Sequence, residues 1–236
     1  MTELIYLKNG YQKECEAAVV SANDKTIVLD KSIFYPESGG QPGDFGVIKK
    51  GSEEFKVISV KKSGGDISIE VDKPGLNAGD KVNCIVDWDR RYILMKYHTA
   101  AHLLSAMIHK HTNALITGNQ LGLEQSRIDF DLENFDREKL LTYFDEANEL
   151  IKKNIEVKSY FMPSEDAFKL PELFSLKGKL PPQIKELRIV EIVDVERNAC
   201  GGTHLKNIGE IGRISFLKAD NKGKNNRRVY FTIQGA

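Results

Sequence analysis

The sequence predicts an α+β protein, with a small N-terminal β-barrel followed by a second domain of helices and a mainly antiparallel sheet. Three observations predict it. Residues 1–88 hold seven short β-prone runs cut apart by turn signals, the pattern of a small barrel. From Asp89 the apolar period lengthens to that of a helix. Strand-like runs then return and continue toward the C-terminus. The division expected is 1–88 for the barrel and 89–236 for the α+β domain.

The barrel runs are Leu4 to Leu7, Cys15 to Val20, Thr26 to Leu29, Phe45 to Ile48, Phe55 to Val60, Ile67 to Val71 and Val82 to Val86. Asn9-Gly10, Asn23-Asp24, Gly64-Gly65, Pro74-Gly75 and Gly79-Asp80 separate them. In the second domain, Ile93, Leu94, Tyr97, Ala101, Leu104, Met107 and Ile108 form a helical stripe. Thr117 to Gly122 reads as a turn, and Arg127 to Asp131 alternates like a strand. Leu140, Phe144, Ala147 and Ile151 mark a second amphipathic helix, with Asp136 near its start. Glu156 to Met162 reads as a strand, Ser164 to Phe168 as a short helix and Pro181-Pro182 as a loop. Leu187 to Val195, Ile211 to Leu217 and Val229 to Ile233 complete one sheet.

Composition narrows the function classes. Lys plus Arg is 34 and Asp plus Glu is 34, so bulk charge offers no argument for nucleic acid. Such a partner must be held by a local patch. Three cysteines at unrelated spacings do not make a disulfide framework, which fits a reducing compartment. The N-terminus lacks a basic region followed by an apolar run, and no stretch reaches the ~18 apolar residues of a membrane span. A cytoplasmic protein with no membrane partner is expected. No residue pattern specifies an oligomeric state, a monomer included.

Two motifs carry chemistry. His98 and His102 lie four residues apart within the helical stripe, one turn above each other on one face. Cys200 and His204 flank a turn containing Gly201-Gly202, whose glycines let the backbone bend sharply. Two nitrogens from a helix and a sulfur and a nitrogen from a turn make a tetrahedral set, which suits zinc. Either pair alone reads more simply as chance or as a satisfied core pair; the convergence of both carries the metal reading. His109 and His111, near the helix end, read as surface residues.

The segment Phe34 to Asp44 is rich in glycine and proline. It reads either as a surface turn or as a loop whose bare N–H groups approach a ligand. It lacks the spacing of a nucleotide-binding P-loop. Lys218, Lys222, Lys224, Arg227 and Arg228 read either as a solvated hairpin tip or as a phosphate-contacting loop. Arg127 and Asp129 read equally as a structural pair or as pocket residues.

Five stretches together resemble the editing domain of alanyl-tRNA synthetase and its free-standing relatives, the AlaX trans-editing proteins. They are Phe34-Tyr35-Pro36 with Ser38 to Asp44, Asp87-Trp88-Asp89-Arg90-Arg91, His98 to Leu104, Arg127 to Phe130, and Cys200-Gly201-Gly202-Thr203-His204. The length and the N-terminal barrel resemble the medium-size type. The resemblance implies a barrel packed on an α+β domain shared with threonyl-tRNA synthetase editing domains, with zinc in the cleft. It implies deacylation of seryl-tRNA(Ala), with glycyl-tRNA(Ala) as a second substrate and alanyl-tRNA(Ala) spared. It also implies Ser32, Gly39, Gly40 and Gln120 as substrate-binding residues. Ser32 stands where the family often has Thr, keeping a hydroxyl; Ala101 stands where it often has Thr or Gln.

No side chain is singled out as a catalytic acid or base. Two rival classes remain: a zinc hydrolase of another ester or amide, and a non-catalytic, zinc-stabilised tRNA-binding module. The Glu of a metalloprotease H-E-x-x-H is missing, since Thr99 follows His98.

Overall fold

The computed structural model describes residues 1–134, 136–170 and 184–234. The Pro181-Pro182 loop lies outside the described residues. The chain opens with a two-residue strand, β1 (Glu3–Leu4), and one helical turn, α1 (Ile5–Lys8). Next come β2 (Glu14–Asn23), β3 (Thr26–Leu29), β4 (Lys31–Ser32), β5 (Gly46–Lys50), β6 (Glu53–Ser63), β7 (Asp66–Val71) and β8 (Lys81–Val86). Strands β2-β3-β7-β6-β5-β8 close into a barrel. Alternate residues point inward, as the period of two demands, and Ile27, Leu29, Ile48, Phe55, Ile69 and Cys84 fill the interior.

One expected barrel strand is corrected. Leu4 to Leu7 is not a strand: it leaves extended geometry at Ile5, because burial of Tyr6 edge-on against Tyr35 overrides the local β-preference. The short β4, which carries Ser32 toward the Phe34-Tyr35-Pro36 segment, pairs in parallel with β1.

After the barrel comes α2 (Trp88–Thr112), capped by the Asp87 side chain, which accepts from Arg90 N–H. It continues with β9 (Ile116–Gln120), β10 (Ser126–Phe130) and α3 (Arg137–Ile151), the last capped by Asp136. Then follow β11 (Val157–Pro163), α4 (Ser164–Ala167), β12 (Glu186–Ile192), β13 (Glu196–Ala199), a 3-10 turn (Ile208–Ile211), β14 (Arg213–Asn221) and β15 (Arg227–Gln234). The strands form two antiparallel sheets rather than one, β14-β15-β10-β9 and β11-β12-β13. Helices α2 and α3 share one apolar core with both sheets, distinct from the barrel interior.

Two further expectations are corrected here. Thr117 to Gln120 belongs to β9, not to a turn; its polar residues suit an edge strand whose pairing comes from β10. The run from Leu187 does not continue to Val195. It reverses at Asp194, whose φ is 60°, and β13 returns beside β12 to deliver Cys200.

The barrel and the second domain meet along the segment between β4 and β5. Arg91 and Asp44 form an ion pair with both side chains out of solvent. The Arg91 guanidinium also donates to Gly10 O at 3.0 Å and Ile33 O at 2.7 Å, and Asp44 accepts from Tyr35 N at 2.6 Å. Arg90 donates to Gly43 O at 2.8 Å. The first turn of α2 is thereby clamped to the Gly-rich loop. No helix among the described residues is long and apolar enough to cross a membrane.

Candidate metal centre and adjoining groove

Helix α2 is buried along most of its middle, and His98 and His102 project from one face with ring centroids 5.4 Å apart. His204 lies between them, 4.3 Å and 4.6 Å from the two rings. Cys200 Sγ is 3.5 Å from His98 Nε2 and 3.3 Å from His204 Nε2. All four donor atoms lie within 4.8 Å of one another. Zn–S bonds of ~2.3 Å and Zn–N bonds of ~2.05 Å at a tetrahedral angle put sulfur and nitrogen about 3.6 Å apart. The two measured separations match that edge, and the donor chemistry is the mixed thiolate and imidazole set zinc takes. The cluster could hold a metal ion.

Each histidine uses its outer nitrogen elsewhere. His98 Nδ1 is 2.7 Å from Gln41 Oε1, His102 Nδ1 is 2.9 Å from Glu196 Oε2, and His204 Nδ1 is 3.3 Å from Thr99 Oγ1. Each Nδ1 thus has an acceptor, which turns each Nε2 inward toward the other donors. Gln41 crosses from the barrel: its amide also donates to Thr203 Oγ1 at 2.9 Å and accepts from Thr203 N at 3.2 Å. Arg188 donates to Cys200 O at 2.7 Å and Gly202 O at 3.0 Å, fixing the turn that carries the sulfur.

The two glycines of that turn differ in use. Neither has a positive φ, so the sharp bend expected of both is not what they provide. A Cβ on Gly202 would strike the His98 ring, whereas one on Gly201 would meet nothing within 4 Å. Gly202 is there for close approach.

Burial pushes the Cys200 thiol up, but His98 and His204 beside it outweigh burial and hold it well below its usual range. Burial, with His98 adding to it, holds His204 well below an ordinary histidine. Burial opposes charging of His102, yet the Glu196 carboxylate raises it well above the ordinary value. The site therefore favours a thiolate, as a metal ligand requires.

Of the residues expected to bind substrate, three come together. Gly39, Gly40 and Gln120 line a groove of about 600 Å³ where the Gly-rich loop meets β9. Gly39 (φ 56°) and Gly40 (φ 79°) form the tip of a two-residue turn closed by Ser38 and Gln41, and both positions need positive φ. Leu121 N donates to Gly40 O at 2.8 Å, and a Cβ on Gly40 would collide with Asn119. The loop is thus both a turn and a close-packed rim, and the next residue, Gln41, reaches the histidines. Ser32 is not in this groove. It is fully buried, with Oγ accepting from Phe34 N at 3.1 Å and donating to Phe34 O at 3.3 Å.

Arg127 and Asp129 pair at 2.8 Å, Arg228 closes on Asp129 with bonds of 2.7 Å and 2.8 Å, and Arg127 also lines the groove. His111 is partly exposed beside Glu146 and His109 bonds Ala114 O, both away from the cluster. Gln41, Glu196, Thr99 and Arg188 were not anticipated. Gln41, Thr99 and Thr203 lie inside the motifs shared with the family; Glu196 and Arg188 carry no visible signal in the sequence.

The chain is similar to known proteins over its whole length. Residues 3–90 match the family described as tRNA synthetases class II (A). Residues 187–230 match the threonyl and alanyl tRNA synthetase second additional domain. The chain is 50% identical to the alanyl-tRNA editing protein AlaX-M of Methanosarcina barkeri, covering 99% of each. It is 44% identical to the AlaX-M protein of Saccharolobus solfataricus, covering 99% of this chain and 100% of that one. It is 37% identical to the AlaX-L protein of Pyrococcus horikoshii, covering 98% of this chain and 58% of that one.

Proposed function

We propose that this chain, which belongs to the AlaX-M family of alanyl-tRNA editing proteins, removes serine and glycine from mischarged tRNA(Ala) and spares alanyl-tRNA(Ala). Alanyl-tRNA editing proteins are deacylases, so the chain is an enzyme that hydrolyses an aminoacyl ester. The observation that carries the reading is the buried His98, His102, Cys200 and His204 cluster, joined through Gln41 to the Gly39-Gly40 rim.

The four donors would hold zinc, which would supply a fixed positive charge beside the aminoacyl group. Four protein ligands fill a tetrahedral shell, so positioning of the substrate is favoured over activation of a metal-bound water. Gln41, Glu196 and Thr99 keep the imidazoles aimed. Gly39, Gly40 and Gln120 offer backbone and amide groups to the aminoacyl-adenosine end.

Alanine is smaller than serine, so size cannot exclude it. A site that hydrogen-bonds the seryl hydroxyl rejects alanine because its own polar groups would be left unpaired. The resemblance assigns this task to Ser32, whose hydroxyl is fully buried outside the groove and bonded only to Phe34.

The protease rival fares poorly. Thr99 Oγ1, following His98, already accepts from Leu205 N and faces His204, and offers no carboxylate base. Incubating the zinc-loaded protein with seryl-, glycyl- and alanyl-tRNA(Ala) tests the reading. Release of serine and glycine but not alanine is expected. A gel shift without turnover would instead identify a binding module.

A further inference from the structure

A deacylase acting on tRNA from an electroneutral chain needs a local cationic patch. The two arginines of the basic cluster near the C-terminus are spent within the fold, and two of its lysines share one carboxylate. Arg227 is buried and donates to Asn221 Oδ1, Gly223 O and Asn226 O. Arg228 is bound to Asp129, and Lys218 and Lys222 each lie 3.5 Å from Asp220.

The barrel carries a different pair. Strand β6 runs past its pairing with β5 while still paired with β7, and there Lys61 and Lys62 line the same groove as Gly39, Gly40 and Gln120. Both are exposed, and among the described residues neither has a carboxylate within ion-pair distance. Arg127 faces them across the groove, oriented by Asp129 and by a 3.2 Å bond to Gln120 Oε1. Glu37 is the one acidic side chain on this lining. The floor is the bare Gly39-Gly40 turn, and Gln41 leads from it to His98.

We propose that Lys61 and Lys62 hold the phosphodiester backbone of the single-stranded 3′ end of the substrate tRNA in this groove. This rests on the editing function above. Flexible, unpaired ammonium groups on one wall suit a strand recognised by its backbone rather than its bases. The barrel thereby becomes the element that threads the acceptor end past Gly40 toward the metal cluster.

The test is the Lys61→Gln, Lys62→Gln double variant, with Lys222→Gln, Lys224→Gln as the control. Losing two single-strand phosphate contacts should raise KM for seryl-tRNA(Ala) about tenfold near 0.15 M salt, with kcat unchanged. The slope of log affinity for uncharged tRNA(Ala) against log salt should flatten by about 1.4. The control should match wild type in both. An unchanged KM and slope in the Lys61, Lys62 variant, or an equal change in the control, overturns the proposal. If wild type releases no serine, the editing function fails instead, and the salt slope still decides whether these lysines hold tRNA.

Discussion

Gln41→Leu isolates the contribution of the barrel to the metal centre. Gln41 is fully buried, and leucine nearly preserves its volume, so the change is one of polarity rather than of packing. Three bonds disappear: from His98 Nδ1 (2.7 Å), from Thr203 N (3.2 Å) and to Thr203 Oγ1 (2.9 Å). Two buried N–H groups lose their acceptor, at about 1–3 kcal/mol each. The threonine hydroxyl can rotate and adds little, so the metal-free protein should lose about 2–6 kcal/mol. Without an acceptor on Nδ1, the His98 ring is no longer held in the tautomer and orientation that present Nε2. Zinc affinity should fall about 10–100-fold. Competition with a chromophoric chelator measures the affinity, and denaturant unfolding in EDTA measures the stability. Gln41→Glu keeps an acceptor for both N–H groups and should retain most of the affinity. Equal zinc affinity in Gln41→Leu and wild type would refute the reasoning, as would Gln41→Glu losing as much as Gln41→Leu.

Ser32→Ala should narrow the ratio of seryl- to alanyl-tRNA(Ala) deacylation without removing ester hydrolysis; an unchanged ratio in initial-rate assays takes Ser32 out of the specificity account. Arg91→Met should destabilise the fold by about 3–5 kcal/mol, because Asp44 would remain buried without its cation, and urea unfolding gives the value. Burial raises the Asp129 carboxyl, but Arg228 and Arg127 outweigh it and set the folded value below the unfolded one. The resulting stability is present above the unfolded value near 3.9 and is lost as pH falls through the folded one. Melting temperatures of wild type and Asp129→Asn should therefore converge between about pH 5 and pH 2, and a constant gap would contradict the linkage.

The barrel was legible because inward and outward residues alternate along each strand, and Thr26 to Leu29 appears with its expected ends. Helix α3 was legible for the same reason at a different period: Leu140, Phe144, Ala147 and Ile151 are the residues it buries. Where local preference and tertiary demand disagreed, the sequence misled. Tyr6 curls its segment out of extended geometry, and the polar residues of β9 look like a turn until β10 lies beside them.

Within the site, spacing alone placed His98 over His102, because a helix repeats every 3.6 residues whatever surrounds it. The meeting of that pair with Cys200 and His204, which depends on β13 and the Arg188 clamp, belongs to the tertiary structure. So do the partners that aim each imidazole. Gln41 is 57 residues from His98, and Glu196 is 94 from His102. Hydrogen bonds over such separations leave no periodic trace in a chain. Residue order carried the identity of the donors and the local geometry of each pair. Only the packing of barrel against helix decided which atoms face one another, because burial and directional hydrogen bonding act through space and not along the backbone.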